Sequence, residues 1–161
     1  MIEVQPAGPD QWEAVRAVRL QALADSPSAF ASTLQREEAL SAHDWRERLA
    51  SGSWWLCRNG GAPVGMVSSF AEDGSTGERH LVAMWVAPGH RGSGAATALV
   101  EAVVQRASED GATTVILWVA DGNDRARRFY ERLGFQGTGV RQPLPSAPHI
   151  GEELLRRSPA R

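Results

Sequence analysis

The succession of strand and helix signals along 161 residues predicts a single α/β domain, a mixed sheet flanked by helices in the order βααβββαβαββ. Three observations carry this. Two apolar runs, residues 81–86 and 113–119, are almost unbroken, as in strands covered on both faces. A helix-period pattern follows each of them within a few residues. Between two earlier strand-like segments stands Asn59-Gly60, a strong hairpin signal. The domain takes in residues 1–157, and Ser158-Pro159-Ala160-Arg161 reads as a loose tail.

The elements follow in order. Residues 2–5 form a short first strand. Asp10 caps a helix running to about Ala24, with Trp12, Val15, Val18 and Ala22 on one face, and Ser26-Pro27 ends it. One further helical region covers roughly residues 32–50; within it Ser41-x-x-Asp44 has capping-box spacing, and Leu40, Trp45 and Leu49 are its apolar positions. Strands 53–58 and 62–71 flank the Asn59-Gly60 turn, and 73–77 is a second turn. Strand 79–86 takes a central place because its hydrophobicity is continuous. A helix over 94–108 buries Ala95, Ala98, Leu99, Ala102 and Val103, and 113–119 is the next apolar strand. A helix over 124–133 stops at Gly134, the residue type favoured just past a helix end. Strands 135–141 and 150–156 complete the sheet.

Composition bounds the function. A hydrophobic fraction of 42% and a charged fraction of 22% are ordinary for a soluble domain. Residues 1–6 lack the basic start and apolar stretch of a signal peptide, and nothing approaches the roughly 18 apolar residues of a membrane span, so a cytoplasmic location is expected. The single cysteine, Cys57, suits a reducing compartment and reads as a small strand residue. A net charge of −2 offers no general attraction for nucleic acid or an anionic membrane. His43, His80, His90 and His149 are scattered without metal-ligand spacing, so no metal is expected, and there is no G-x-S-x-G elbow.

The chemistry concentrates at Arg91-Gly92-Ser93-Gly94-Ala95-Ala96, between the apolar strand and the helix after it. The first N–H groups of a helix lack internal partners, and the helix dipole adds partial positive charge there, which suits a diphosphate. A P-loop is excluded because all 17 basic residues are arginine and the required lysine is missing. A dinucleotide fingerprint fits poorly, since Thr97 stands where the third glycine belongs and Asp121 lies too far along.

Arg91-x-x-Gly94-x-Ala96 after Val86-Ala87-Pro88 resembles the pyrophosphate turn of the GCN5-related N-acetyltransferase (GNAT) family. A second signature follows one helix and one strand later. Asn123-Asp124-Arg125-Ala126-Arg127-Arg128-Phe129-Tyr130-Glu131-Arg132-Leu133-Gly134-Phe135 resembles the family's N-x-x-A-x-x-[FL]-Y-x-[KR]-x-G-F. The resemblance implies acetyl-CoA as co-substrate and direct transfer of its acetyl group to a primary amine in a ternary complex. It also implies a splay between the two central strands.

Under that resemblance the N–H groups from Arg91 to Ala96 grip the pyrophosphate. Gly92 and Gly94 are needed because a Cβ would collide or forbid the backbone angles. The pantetheine arm pairs with the backbone of Met84, Trp85 and Val86, and an N–H of Met84 or Trp85 polarises the thioester carbonyl. Tyr130, the chain's only tyrosine, protonates the departing thiolate, since a phenol of pKa near 10 keeps its proton at neutral pH. Asn123 hydrogen-bonds the pantetheine, caps its helix, or does both. Arg125, Arg127, Arg128 and Arg132 put positive charge on the same helix. His80 stands six residues before Val86, where many relatives carry glutamate, and is the candidate base. Glu37, Glu72 and Glu78 are alternatives, as is a relay through solvent.

The acceptor is the least specified part. Glu37, Glu38, Glu72 and Asp73 could attract a cationic amine, and some of the six tryptophans could line its pocket, although core packing explains most of them. A small-molecule amine is the first expectation. A protein N-terminal or side-chain amine and a non-catalytic acetyl-CoA sensor are the alternatives. A homodimer is compatible with the sequence.

Overall fold

A computed structural model describes residues 1–72 and 77–159. The expected turn at 73–77 and the candidate acid Asp73 therefore lie largely or wholly outside the described residues, as do Ala160 and Arg161. Of the remaining tail, Ser158 is exposed and Pro159 buried.

Seven strands form one mixed sheet: β1 (Ile2–Pro6), β2 (Ser53–Asn59), β3 (Ala62–Phe70), β4 (Glu78–Val86), β5 (Thr114–Ala120), β6 (Gln136–Leu144) and β7 (Ala147–Arg157). Their hydrogen-bonded order is β1-β2-β3-β4-β5-β7-β6, which puts β4 in the middle as its continuous hydrophobicity predicts. The β1–β2, β2–β3, β5–β7 and β6–β7 pairs are antiparallel, and β4–β5 is parallel. The helices are α1 (Trp12–Asp25), α2 (Leu34–Glu38), α3 (Ala42–Ser51), α4 (Ala95–Glu109) and α5 (Asp124–Arg132). The chain gathers into two compact units, residues 1–70 with 81–103 and residues 71–80 with 104–161.

In the first unit, α1 turns Val15, Val18, Ala22 and Leu23 onto a core shared with Trp45, Leu49, Leu56, Met66 and Trp85. Two expectations about its helices are corrected. Asp10 does not cap α1: it sits in a 3-10 turn at Pro9–Gln11, where the Gly8 N–H donates to Gln11 Oε1 (3.1 Å) and the Gln11 N–H to the Gly8 carbonyl (2.9 Å). The single helix expected over 32–50 is two. Ser41 and Asp44 satisfy each other's backbone N–H groups at 3.1 and 2.9 Å, and a reciprocal cap of this kind starts a helix; it does not sit inside one. The hairpin turn also falls one residue later than expected. Asn59 pairs with Ala62, and the two loop residues, Gly60 and Gly61, both have positive φ (62° and 92°), as a tight hairpin loop demands.

In the second unit, β5 buries Val115, Ile116, Leu117 and Val119 and pairs with β7 along its length, from Val115↔Arg157 to Ala120↔Glu152. Its parallel register with β4 covers only Glu78↔Thr114, Arg79↔Val115 and His80↔Ile116. These three pairs lie at the N-terminal end of each strand.

Candidate active site

The first unit carries the turn and the strand end before it. Gly92 and Gly94 have φ of +81° and +91°, and a Cβ on either would meet nothing within 4 Å. Of the two reasons expected for glycine here, the backbone angle is in place at both positions. Within the turn, the Arg91 N–H donates to Pro88 (3.4 Å) and the Ser93 N–H to His90 (3.3 Å). Among the described residues, the N–H groups of Gly92, Gly94, Ala95 and Ala96 make no hydrogen bond to a protein acceptor. The available donors are therefore a subset of those expected from Arg91 to Ala96, and they sit at the start of a 15-residue helix.

The Arg91 side chain folds back onto the protein. Its Nε donates to the Val86 carbonyl at 3.0 Å and its Nη2 to Asp25 Oδ2 at 2.9 Å. Trp85 Nε1 donates to the same Asp25 oxygen at 3.1 Å. Sequence reasoning missed Asp25, because nothing local links a residue at the end of α1 to a turn 66 positions on.

On β4, Ala83 has φ +57°, a left-handed conformation that costs a non-glycine residue about 1–2 kcal/mol. Such strain persists only where the surroundings impose it, and it breaks the regular alternation of N–H groups along a strand. Val82 is exposed and Ala83 and Met84 are only partly covered, whereas Trp85 and Val86 are buried. The partly uncovered stretch of β4 thus coincides with its distorted residue. The candidate backbone donors, Met84 and Trp85, directly follow the distorted residue.

The second unit carries the remaining candidates. Tyr130 is 8% exposed on α5, its ring edge-on to Phe135 with centroids 5.7 Å apart. Burial pushes its phenol above the ordinary value of 10.0, and no protein group is hydrogen-bonded to its hydroxyl among the described residues. Asn123 caps α5, accepting from the Ala126 N–H at 3.3 Å, so one of its two expected roles is in place. Arg127 pairs with Glu153 (2.8 Å) and Glu131 (3.5 Å), while Arg125, Arg128 and Arg132 are exposed. His80 Nε2 lies 3.4 Å from Glu72 Oε1, and Glu78 is exposed two residues before it.

Glu37 is corrected both as a candidate base and as an amine attractant. It is 1% exposed and takes Arg19 (2.9 and 3.0 Å) and Arg48 (2.9 Å) on its carboxylate. Burial works to raise its pKa, but the two guanidinium groups prevail and bring it down to about 2. An acid already paired twice has neither free charge nor proton affinity to offer. Four of the six tryptophans, Trp45, Trp54, Trp55 and Trp85, are core residues. Cys57 is buried, and burial raises its thiol pKa, against a nucleophilic role. An open cleft along α3, lined by Leu40, Asp44, Glu47, Arg48, Ala50 and Ser51, contains none of the expected site residues. No helix among the described residues is long and apolar enough to cross a membrane.

The sequence profile of the acetyltransferase (GNAT) family matches residues 19–135, a span that includes both signatures. Over 93 residues the chain is 37% identical to N-acetyltransferase family 8 member 2 of Rattus norvegicus, covering 56% of this chain and 41% of that protein. Over 96 residues it is 34% identical to an uncharacterized N-acetyltransferase of Methanocaldococcus jannaschii, covering 57% and 42%. The chain thus spans less than half the length of these curated relatives. Among solved structures, yncA of Salmonella typhimurium, solved with its cofactor acetyl-CoA, has a similar fold. The TM-score is 0.78 at 16% identity, over 100% of this chain and 95% of that one.

Proposed function

The chain belongs to the acetyltransferase (GNAT) family, and from that premise we propose that it transfers the acetyl group of acetyl-CoA to a primary amine, in the first instance that of a small molecule. The observation that carries the reading is the turn. Gly92 and Gly94 hold left-handed backbone angles, and the N–H groups of Gly92, Gly94, Ala95 and Ala96 have no protein partner among the described residues at the start of α4. Such donors neutralise a diphosphate without the entropy cost of ordering long cationic side chains.

In this reading the thioester carbonyl is polarised by the Met84 or Trp85 N–H, at the strand position that Ala83 distorts. The amine attacks the carbonyl carbon, the C–S bond breaks, and Tyr130 supplies the proton to the sulfur. The Val86 carbonyl already accepts from Arg91 and the Trp85 carbonyl lies against Gly65 of β3, which leaves Met84 as the main partner for the pantetheine amides. His80, set against Glu72, takes the ammonium proton directly or through water. Glu38 and Glu72 are exposed, which supports a cationic acceptor.

The test is acetyl-CoA-dependent thiol release across a panel of small amines and peptide N-termini. Amine-dependent release, greatest with a small amine, is the expected result. Coenzyme binding without release from any acceptor would instead favour a sensor. For His80, the acidic limb of the pH–rate profile is expected to disappear in His80→Ala, and an unaltered limb would remove it as base.

A further inference from the structure

Asp25 is the last residue of α1, where the helix dipole opposes a negative charge. The opposition is met by three donors converging on one oxygen: Ser26 Oγ (2.8 Å), Arg91 Nη2 (2.9 Å) and Trp85 Nε1 (3.1 Å). Hydrogen bonds from Ser26, Trp85 and Arg91 hold the carboxyl below its ordinary range, so it is an anion at neutral pH. Ser26 is a neighbour in sequence. The other two donors belong to the segment assigned to the coenzyme, one at the end of β4 and one at the entrance to the glycine turn.

Arg91 is held by two hydrogen bonds from one edge of its guanidinium. Nε donates to the Val86 carbonyl and Nη2 to Asp25, so the group ties the turn to the strand end it has just left. Trp85 is 6% exposed, and without Asp25 its indole N–H would lose the acceptor it now has. Released from Asp25, Arg91 regains rotamer freedom that has to be lost again whenever the turn is ordered around a ligand.

We propose that Asp25 is a positioning residue for coenzyme A. Through Arg91 and Trp85 it presets the 91–96 turn and the end of β4 while touching no part of the coenzyme. The proposal rests on the reading of that turn as the diphosphate site.

The test is calorimetric titration of coenzyme A into the wild type, D25N, R91K and the double variant, with steady-state kinetics beside it. Asp25→Asn keeps an acceptor oxygen for Trp85 and removes the charge that faces Arg91. The expected outcome is a rise of about 5–20-fold in the Kd for coenzyme A and the KM for acetyl-CoA, with kcat and the KM for the amine within about twofold. The double variant is expected to lose no more than R91K alone, because Asp25→Asn spares the Trp85 hydrogen bond and removes only what acts through Arg91. An unchanged Kd in D25N, whatever its melting temperature, overturns the proposal, as do fully additive losses. Should D25N fail to fold, D25E keeps the charge and displaces the guanidinium by a methylene; an unchanged Kd there is equally fatal. A wild-type protein that does not bind coenzyme A overturns the reading of the turn itself, a result distinct from wild-type binding that D25N leaves intact.

Discussion

A Cβ placed on Gly65 would stand 3.0 Å from the carbonyl oxygen of Trp85, with Leu99 Cδ1 at 3.2 Å and Val86 Cγ2 at 3.3 Å. Gly65 lies inside β3, where glycine ordinarily weakens a strand, so its presence reflects close approach of neighbouring groups. Gly65→Ala is therefore expected to destabilise by about 1–3 kcal/mol through overpacking, even though alanine prefers a strand to glycine. Urea denaturation measures this. A stabilised variant would mean that the strand end bearing Trp85 and Val86 yields easily.

Ala83 gives a sharper test of strain. At φ +57° a glycine is relieved of the Cβ penalty of about 1–2 kcal/mol but loses more entropy on folding, so Ala83→Gly is expected to fall within about 1 kcal/mol of the wild type. Ala83→Val adds β-branching to a left-handed residue and is expected to cost more than about 2 kcal/mol. In a regular strand the order reverses, with valine favoured over glycine. Equilibrium unfolding of the two variants decides which backbone is present.

Much of the fold can be read locally, because hairpins and caps are local. The glycine-rich turn after Asn59, the Ser41–Asp44 cap and the Gly134 stop are short-range solutions to backbone hydrogen bonding, and each lies within a residue of its expected place. The 91–96 turn is legible for the same reason. The features that the sequence hid are long-range or geometric. Nothing near Asp25 announces Arg91, nothing near Glu37 distinguishes it from its exposed neighbour Glu38, and alanine carries no signal that position 83 is left-handed. Expectation and structure part where a side chain's environment is made by distant segments.

Glu37 illustrates the energetic consequence. Its carboxylate is buried between Arg19 and Arg48, and removing one member leaves buried charge uncompensated, at a cost of about 3–5 kcal/mol. Glu37→Gln is expected to lose that much stability at neutral pH. The group's pKa falls from 4.5 unfolded to about 2 folded, so its contribution is complete above pH 4.5 and fades as pH drops toward 2. The gap between wild type and variant should accordingly narrow across that window. A gap independent of pH would indicate lost packing and not lost charge.

Tyr130 joins the fold to the chemistry. Its ring is packed against Phe135, and burial raises the phenol pKa above 10.0, so the proton it is proposed to donate is retained at neutral pH. Tyr130→Phe keeps the ring and deletes only the hydroxyl. Loss of a positioned general acid typically costs about 100- to 10,000-fold, and turnover is expected to fall in that range while the Kd for coenzyme A stays within about twofold. The same shift has a stability signature whose sign is fixed. Above pH 10.0 the unfolded phenol ionises before the buried one, the folded state binds more protons, and stability declines as pH rises. The wild type should lose stability there more steeply than Tyr130→Phe. Equal turnover in the two proteins would show that sulfur is protonated by another group, and equal alkaline slopes would show that the hydroxyl is wetter than its burial implies.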